Sequence, residues 1–415
     1  MKFRDLYSID LASGFNDVRD STIKLFERFE SALDDNLFVE RRKEINLPLW
    51  EFSHIGWFSE RWLLRNKYLS FDERRPKAWK NCLCGESILK QADELFNSAT
   101  IPHEERWLVT LPKKQEVKEY LLQTKVKILD LIKRNYPSSN EDCYFYRLCL
   151  AHEMMHIEAL RMTAQTLGLF LPEVAVSFLQ EPSAGERRKI LISAHDVFKN
   201  EEISGFRFDN EINESHGPSS DFRIDSHPTS IAEFLDFIKS GEYENEKNWS
   251  EDGKNWLKDY KSLNKYQHTS LSDKLALAVK CGKENEAEIT IEWFGKVLRI
   301  GKQLPVFNIN YFEAEAYVNS KSRELPTENQ WLAASKNQFF QWGSVWEWTS
   351  SIFKKDKKFK AHPYKEYSEP WFGDHMVLKG SSFATYRSLK CSRYRNFYMP
   401  HRQDIFAGFR TVEII

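Results

Sequence analysis

The stretch Ala151-His152-Glu153-Met154-Met155-His156-Ile157-Glu158 decides how the first half of this chain is read. Apolar residues recur at helical spacing around it, which predicts a helix over 141–167 with Gly168 and Pro172 as stop signals. On a helix, two histidines four apart share one face, one turn apart, so both rings can reach a single ion. A third histidine stands far upstream, in Glu51-Phe52-Ser53-His54-Ile55-Gly56-Trp57-Phe58-Ser59-Glu60-Arg61-Trp62, within a second predicted helix over 49–68. Three imidazoles bind a divalent transition metal and leave positions open for chemistry. Another helix is predicted where Ile23, Phe26, Phe29 and Leu33 repeat behind a cap at Asp20 or Ser21, and further elements over 83–99 and 113–135. Four or five helices with inward-facing ligands make a bundle.

The texture changes beyond the bundle. Residues 173–205 read as a connection: Pro182-Ser183-Ala184-Gly185-Glu186-Arg187-Arg188 is a loop, and Lys189-Ile190-Leu191-Ile192 a short strand. From Gly205 onward, short apolar pieces alternate with turn residues. Residues 230–239 and 312–320 read as helices, and 288–294 and 297–300 as strands within a charge-rich region. The predicted fold class is α+β, with a helical bundle over 1–172, a connection over 173–205 and a mixed domain over 206–415.

A chain of 415 residues is too long for one ordinary core. Hydrophobic content of 41% and charge of 29% are those of a globular protein. Sixty basic residues against sixty-one acidic ones leave no basic tail or stripe, so nucleic acid is not an expected partner. The Met1-Lys2-Phe3-Arg4-Asp5 start lacks an apolar secretion segment, and no apolar run approaches the ~20 residues of a membrane span. The cysteines Cys82, Cys84, Cys143, Cys149, Cys281 and Cys391 form no CxxC pair, which points to reduced thiols in a cytoplasmic protein. Thirteen tryptophans suit deep aromatic-lined clefts as well as large cores. Oligomeric state is not readable from the sequence.

On residues alone, three readings of the histidines stand. His152-Glu153-Met154-Met155-His156 fits the HExxH pattern of zinc hydrolases, with Glu153 as general base, although no third ligand follows at the metzincin spacing. The histidines can also be ordinary core residues of a catalytically silent binding module. A three-histidine site completed by His54 lacks a carboxylate ligand and suits Fe(II) with three open positions.

His54 in a His-x-Gly-x-x-x-x-Arg-Trp context, followed by His152-x-x-x-His156-x-Glu158, resembles the DinB-like bundle of the EgtB and OvoA enzymes. These are non-haem iron enzymes of ergothioneine and ovothiol biosynthesis. The second half carries, in order, Gly205-Phe206-Arg207-Phe208-Asp209-Asn210-Glu211, Phe222-Arg223-Ile224-Asp225, Leu325-Pro326-Thr327-Glu328, Gly343-Ser344-Val345-Trp346-Glu347-Trp348, Val377-Leu378-Lys379-Gly380-Ser381-Ser382-Phe383 and Gly408-Phe409-Arg410. In that order they resemble the formylglycine-generating-enzyme domain, a C-type-lectin-like fold. The paired catalytic cysteines of a formylglycine generator are absent, since Cys391 is the only cysteine beyond Cys281.

The resemblance implies iron on His54, His152 and His156, with Glu158 orienting a histidine. Trp346, Trp348 and Arg410 are then scaffold. Within Arg393-Tyr394-Arg395-Asn396-Phe397-Tyr398-Met399-Pro400-His401-Arg402, it implies that Asn396 and Phe397 contact hercynine, the trimethylated histidine. An aromatic face suits a quaternary ammonium, and an amide suits a carboxylate or imidazole. Arg402 would hold the carboxylate of the donor. The implied active site lies at the domain junction.

Three departures from the family pattern stand out. Met155 replaces a glutamine beside the substrate imidazole, Tyr398 replaces an aspartate on the donor side, and the lysine-rich loop 352–363 lacks the run that carries the family's tyrosine. Tyr398, Tyr367 and Tyr364 are the alternative phenols. Tyr364-Lys365-Glu366-Tyr367-Ser368-Glu369-Pro370-Trp371-Phe372-Gly373, and Ala92-Asp93-Glu94-Leu95-Phe96-Asn97-Ser98 leading to His103, Arg106 and Trp107, are similar to a selenoneine synthase branch. The implied activity is Fe(II)- and O2-dependent carbon–sulfur or carbon–selenium bond formation on hercynine. The implied donors are γ-glutamylcysteine, cysteine or a selenosugar. Histidine, the acceptor of the OvoA type, and an HExxH zinc hydrolase are the alternatives.

Overall fold

The computed structural model describes residues 3–33, 35–72, 83–179, 186–194, 205–211, 218, 220–263, 270–357 and 359–415. Cys82 and the Pro182–Gly185 part of the quoted loop lie outside them. The first half is helical: α1 (Ser8–Ala32), α2 (Pro48–Ser59), α3 (Ala92–Phe96), α4 (Lys114–Asn135) and α5 (Asn140–Thr166), with α6 (Pro172–Leu179) after them. Helix α1 starts at Ser8, not behind Asp20 or Ser21. Leu11, Phe15, Val18, Thr22, Phe26 and Phe29 form one continuous buried face, so the helix extends back through them.

Every residue of α2 is buried, which makes it the central helix, packed on α4 and α5. Pro48 at its start supplies a preset φ where no backbone donor is needed. It is shorter than the predicted 49–68, because its ladder widens into a π turn over Glu60–Leu64. A Cβ on Gly56 would meet the Tyr120 ring at 2.7 Å, so this glycine is what lets α4 close on α2. Helix α5 is capped by Ser139, whose hydroxyl accepts from the Asp142 N–H at 3.1 Å, and it ends at Gly168 with φ +70°. Pro172 opens α6 instead of closing α5. The predicted 83–99 element reduces to the five residues of α3.

The second half holds the strands β1 (Lys189–Ile192), β2 (Phe222–Asp225), β3 (Glu288–Trp293), β4 (Lys296–Gly301), β5 (Trp346–Ile352), β6 (Met376–Gly380), β7 (Asn396–Tyr398), β8 (Ala407–Gly408) and β9 (Val412–Ile414). They form a three-stranded antiparallel sheet in the order β1-β2-β9, a β3-β4 hairpin, and a four-stranded sheet in the order β7-β6-β5-β8 with β8 parallel to β5. Helices α7 (Ile231–Lys239), α8 (Glu251–Leu263), α9 (Leu271–Lys280), α10 (Tyr311–Ser320) and α11 (Glu328–Ala334) pack around them. The sequence reading missed α8, a polar helix, and α9 and α11, which are only ten and seven residues long. Their starts are marked by caps such as Ser270 on the Asp273 N–H and Thr327 on the Gln330 N–H.

The two halves share one apolar core, which runs from Phe26 and Ile157 to Trp346 and Phe406. Polar ties cross the junction: Arg4 grips Glu211 with two bonds of 2.7 and 2.8 Å, and Arg161 donates to the Ala384 carbonyl at 2.6 Å. Trp346, Trp348 and Arg410 are fully buried, and Arg410 pairs with Glu347, in keeping with scaffold roles. The five described cysteines are free thiols. Among the described residues, no helix is long and apolar enough to cross a membrane.

Candidate metal centre

The site is assembled on α2 and α5. His54, His152 and His156 bring one nitrogen each to within 4.8 Å of one another. The sequence around α3 explains how His54 is aimed. Asp93 accepts from Trp57 Nε1 at 2.8 Å and from Arg65 Nη2 at 2.6 Å, while Trp50 Nε1 donates to the Leu95 carbonyl at 2.7 Å. These ties hold α3 against α2 and place the Phe96 carbonyl 2.7 Å from His54 Nδ1. A carbonyl only accepts, so Nδ1 carries the proton and Nε2 presents its lone pair to the site. Trp50 stacks on the His54 ring at 5.0 Å and 9°, and Trp57 flanks its other side at 5.5 Å.

His152 lies flat on Phe58, with centroids 3.5 Å apart and an interplanar angle of 4°. Its Nε2 is 3.1 Å from Nε2 of His54. Two nitrogens at right angles on one ion, each ~2.1 Å from it, would sit ~3.0 Å apart. Burial, with His156 nearby, holds both imidazoles well below their ordinary pKa, so both are neutral. His156, one turn further along α5, has Nδ1 2.7 Å from Glu51 Oε1. Three imidazoles, two with their Nε2 lone pairs fixed by what binds Nδ1, fit a borderline transition-metal ion.

Glu153 does not face this cluster. Its carboxylate accepts from Arg19 Nε at 2.7 Å, Arg19 Nη2 at 2.9 Å and Thr22 Oγ1 at 2.6 Å, on the α1 side of the helix. Both partners of the pair are buried, so the general base that an HExxH hydrolase needs is committed elsewhere. Glu158 differs from expectation as well. It orients no histidine: Oε1 accepts from Trp346 Nε1 at 2.9 Å, from Thr385 Oγ1 at 2.8 Å and from Ser382. Two residues past His156, the helix has turned Glu158 toward the second half.

The residues that the resemblance implies for the substrates are spread more widely. Met155 is half-buried and packs against the core next to His156. Of the three tyrosines, Tyr364 comes nearest the histidines, with its ring 5.9 Å from His152 and 4.9 Å from Phe58. Burial pushes its phenol well above the ordinary range. Tyr367 lies one ring further out, 6.0 Å from Tyr364, and its hydroxyl meets that of Tyr394 at 3.1 Å. Tyr398 lies beneath Arg402, whose guanidinium is 5.2 Å from the ring. On β7, strand alternation sends Asn396 and Tyr398 to one face and Phe397 to the other, where it stacks on Phe353 at 4.1 Å. Asn396 Oδ1 accepts from the Phe397 N–H at 3.0 Å.

Arg402 is clamped by Asp404 through two bonds of 2.6 and 2.5 Å. It lines a cleft of about 670 Å3 at the domain junction, with Trp256, Lys274 and Trp293. The cleft wall at Gln165 is ~14 Å along α5 from His156, so Arg402 and the histidines stand at different levels of the junction. His103 bonds the Ile45 carbonyl at 2.8 Å and packs on Trp107.

Two neighbours of the cluster escaped the sequence reading as functional residues. Glu51 precedes His54 by three, the spacing of one helix face, which is a readable signal. Arg106 lies 4.0 Å over the Trp50 ring, bonds Asn46 Oδ1 at 2.5 Å, and keeps a buried Nε with no hydrogen-bond partner among the described residues. Nothing local marks an arginine on the short 3-10 turn Glu104–Trp107 as a neighbour of a site built by helices.

Comparison with known proteins adds a second line. A family model described as a sulfatase-modifying factor enzyme 1-like domain matches residues 192–344 and 339–415. A hercynine oxygenase of Mycolicibacterium thermoresistibile is 25% identical, over 97% of this chain and 94% of its own. That of Mycolicibacterium smegmatis is 24% identical over 94% and 96%. Ergothioneine biosynthesis protein 1 of Schizosaccharomyces pombe is 26% identical over 91% of this chain and 53% of its own.

Proposed function

The chain belongs to the sulfatase-modifying factor enzyme 1-like family, and from that premise we propose that it is an oxidoreductase acting on the imidazole ring of hercynine. The finer reading is an Fe(II)- and O2-dependent enzyme joining a sulfur or selenium donor to that ring. The convergence of His54, His152 and His156 carries the reading, because it supplies a three-nitrogen set beside a half-buried phenol. Fe(II) held there would supply open coordination positions for the donor and O2, redox capacity, and enough charge to deprotonate a thiol or selenol.

The chain's own residues account for the rest. Trp50, Trp57 and Phe58 wall the histidines and exclude water. Tyr364 keeps its proton at neutral pH because burial raises it, and so holds a proton at the phenol oxygen for delivery near His152. Arg106 offers a spare buried donor, suited to a substrate carboxylate. Met155 supplies an apolar contact beside His156. Asn396 and Phe397 serve the acceptor and Arg402 the donor in this reading. Tyr367, bonded to Tyr394, supports Tyr364 from behind.

The test is product mass after mixing Fe(II)-loaded protein with hercynine and air, with γ-glutamylcysteine, cysteine and a selenosugar in separate tubes. A hercynyl sulfoxide is the expected product with a thiol, and a selenium adduct with the selenosugar alone would assign the donor. An adduct forming only when histidine replaces hercynine would overturn the acceptor. No adduct with either acceptor, in protein that holds iron, would overturn the function.

A further inference from the structure

We infer that Glu51 is a positioning residue that gives the three-histidine set the negative charge its ligands lack, acting through His156. The inference rests on the metal reading above. It begins with how differently the three imidazoles are backed. His54 Nδ1 faces a neutral carbonyl, that of Phe96, at 2.7 Å. His152 rests on the apolar face of Phe58. Among the described residues, only His156 is backed by a carboxylate, Glu51 Oε1 at 2.7 Å.

That carboxylate is placed at some cost. Glu51 is 1% exposed, and its Oε2 is buried with no hydrogen-bond partner among the described residues. The Arg106 guanidinium, whose charge feels that of Glu51, makes no ion pair with it, and its own Nε has no hydrogen-bond partner among the described residues. A buried carboxylate whose one described bond goes to an imidazole is expensive to keep unless positive charge arrives beside it. The His156 N–H bond to Glu51 fixes the tautomer, so Nε2 is the free donor atom, and the carboxylate raises its basicity. A divalent ion on the three Nε2 atoms would bring the missing positive charge. Glu51 thus does from one residue further out what a carboxylate ligand does directly in a two-histidine, one-carboxylate site. It also makes the three ligands unequal, with His156 the strongest donor.

The experiment compares full-length wild type with Glu51→Gln and Glu51→Ala. The amide of Glu51→Gln keeps the shape and can still accept from His156 Nδ1, but carries no charge. Anaerobic titration with Fe(II), and with Co(II) as a visible-band reporter, gives the dissociation constant. Electrochemistry of the iron-loaded protein gives the midpoint potential. The expected result is a 10–100-fold loss of affinity in Glu51→Gln, an altered Co(II) spectrum and a raised potential, with the metal-free melting temperature unchanged or higher. Glu51→Ala should lose more, because the tautomer is freed as well. Equal dissociation constants, spectra and potentials in wild type and Glu51→Gln would overturn the inference and leave the metal reading standing. So would a loss of affinity that tracks a lower metal-free melting temperature. Wild type that takes up neither ion would overturn both.

Discussion

Removing the carboxylate of Glu153 should damage the fold, not the chemistry. Arg19 and Glu153 have side chains only 1% and 2% exposed, joined by two bonds of 2.7 and 2.9 Å. In Glu153→Ala the guanidinium keeps neutral acceptors, the Leu121 carbonyl at 2.8 Å, Thr124 Oγ1 at 2.7 Å and Ser59 Oγ at 3.1 Å, but no counter-charge. Breaking a buried pair from one side costs ~3–5 kcal/mol, a large share of the ~5–15 kcal/mol that holds a domain together. The double replacement Arg19→Met/Glu153→Leu removes both charges and fills the space, so it should fall within ~1–2 kcal/mol of wild type. Urea unfolding followed by tryptophan fluorescence reads both, with iron content measured on the same preparations. The double variant should bind iron like wild type. The reasoning fails if Glu153→Ala unfolds at the wild-type midpoint while losing all activity, since that would place the carboxylate at the metal as a general base.

The other predictions concern the ligands, the phenol and the junction. His54→Ala and His152→Ala should lose iron to the same degree, whereas a zinc hydrolase built on the HExxH pattern would tolerate the first better. Metal at 100 times its dissociation constant should stabilise wild type by ~2.7 kcal/mol and leave the melting temperature of His54→Ala unchanged. Tyr364→Phe should keep the iron and lower turnover by ~10²–10⁴-fold, measured under single-turnover conditions. Burial holds the Glu158 carboxyl above its ordinary range, so the folded state binds that proton more tightly than the unfolded chain. Wild-type stability relative to Glu158→Gln should therefore be level below the ordinary carboxylate range and fall as pH rises from there to the raised value. A constant difference across pH 4–8 would contradict this.

What could be read from the sequence was whatever repeats at a fixed spacing. The four-residue step from His152 to His156 and the alternation in Glu288–Trp293 are local signals, and both elements stand where expected. Helix α8 was missed because only Trp256, Leu257, Tyr260 and Leu263 break its polar run, so tertiary packing decides it, not pattern. The early start of α1 was hidden by Asp10, Asn16 and Asp17, which sit on its outer face. In the site, Glu158 was assigned from its closeness in sequence to His156, yet two residues along a helix is about half a turn, and the side chain meets Ser382 and Thr385 instead. Tyr364 reaches His152 from a loop, and Arg106 covers Trp50 from the single 3-10 turn Glu104–Trp107; no short-range spacing encodes where either lies.

Helix α5 therefore serves two masters within one turn. His156 looks into the bundle, and Glu158 is the keystone for Trp346, Ser382 and Thr385. A chimera that exchanged the second half of this chain for that of a distant relative would lift the rear support of α5 along with the substrate-facing loops. The face of the second half that meets α5 can drift only as fast as the hydroxyls at 382 and 385 stay in register with the helix. Change on that face is then tied to Trp346, Ser382 and Thr385, three side chains that meet Glu158 and not the histidines.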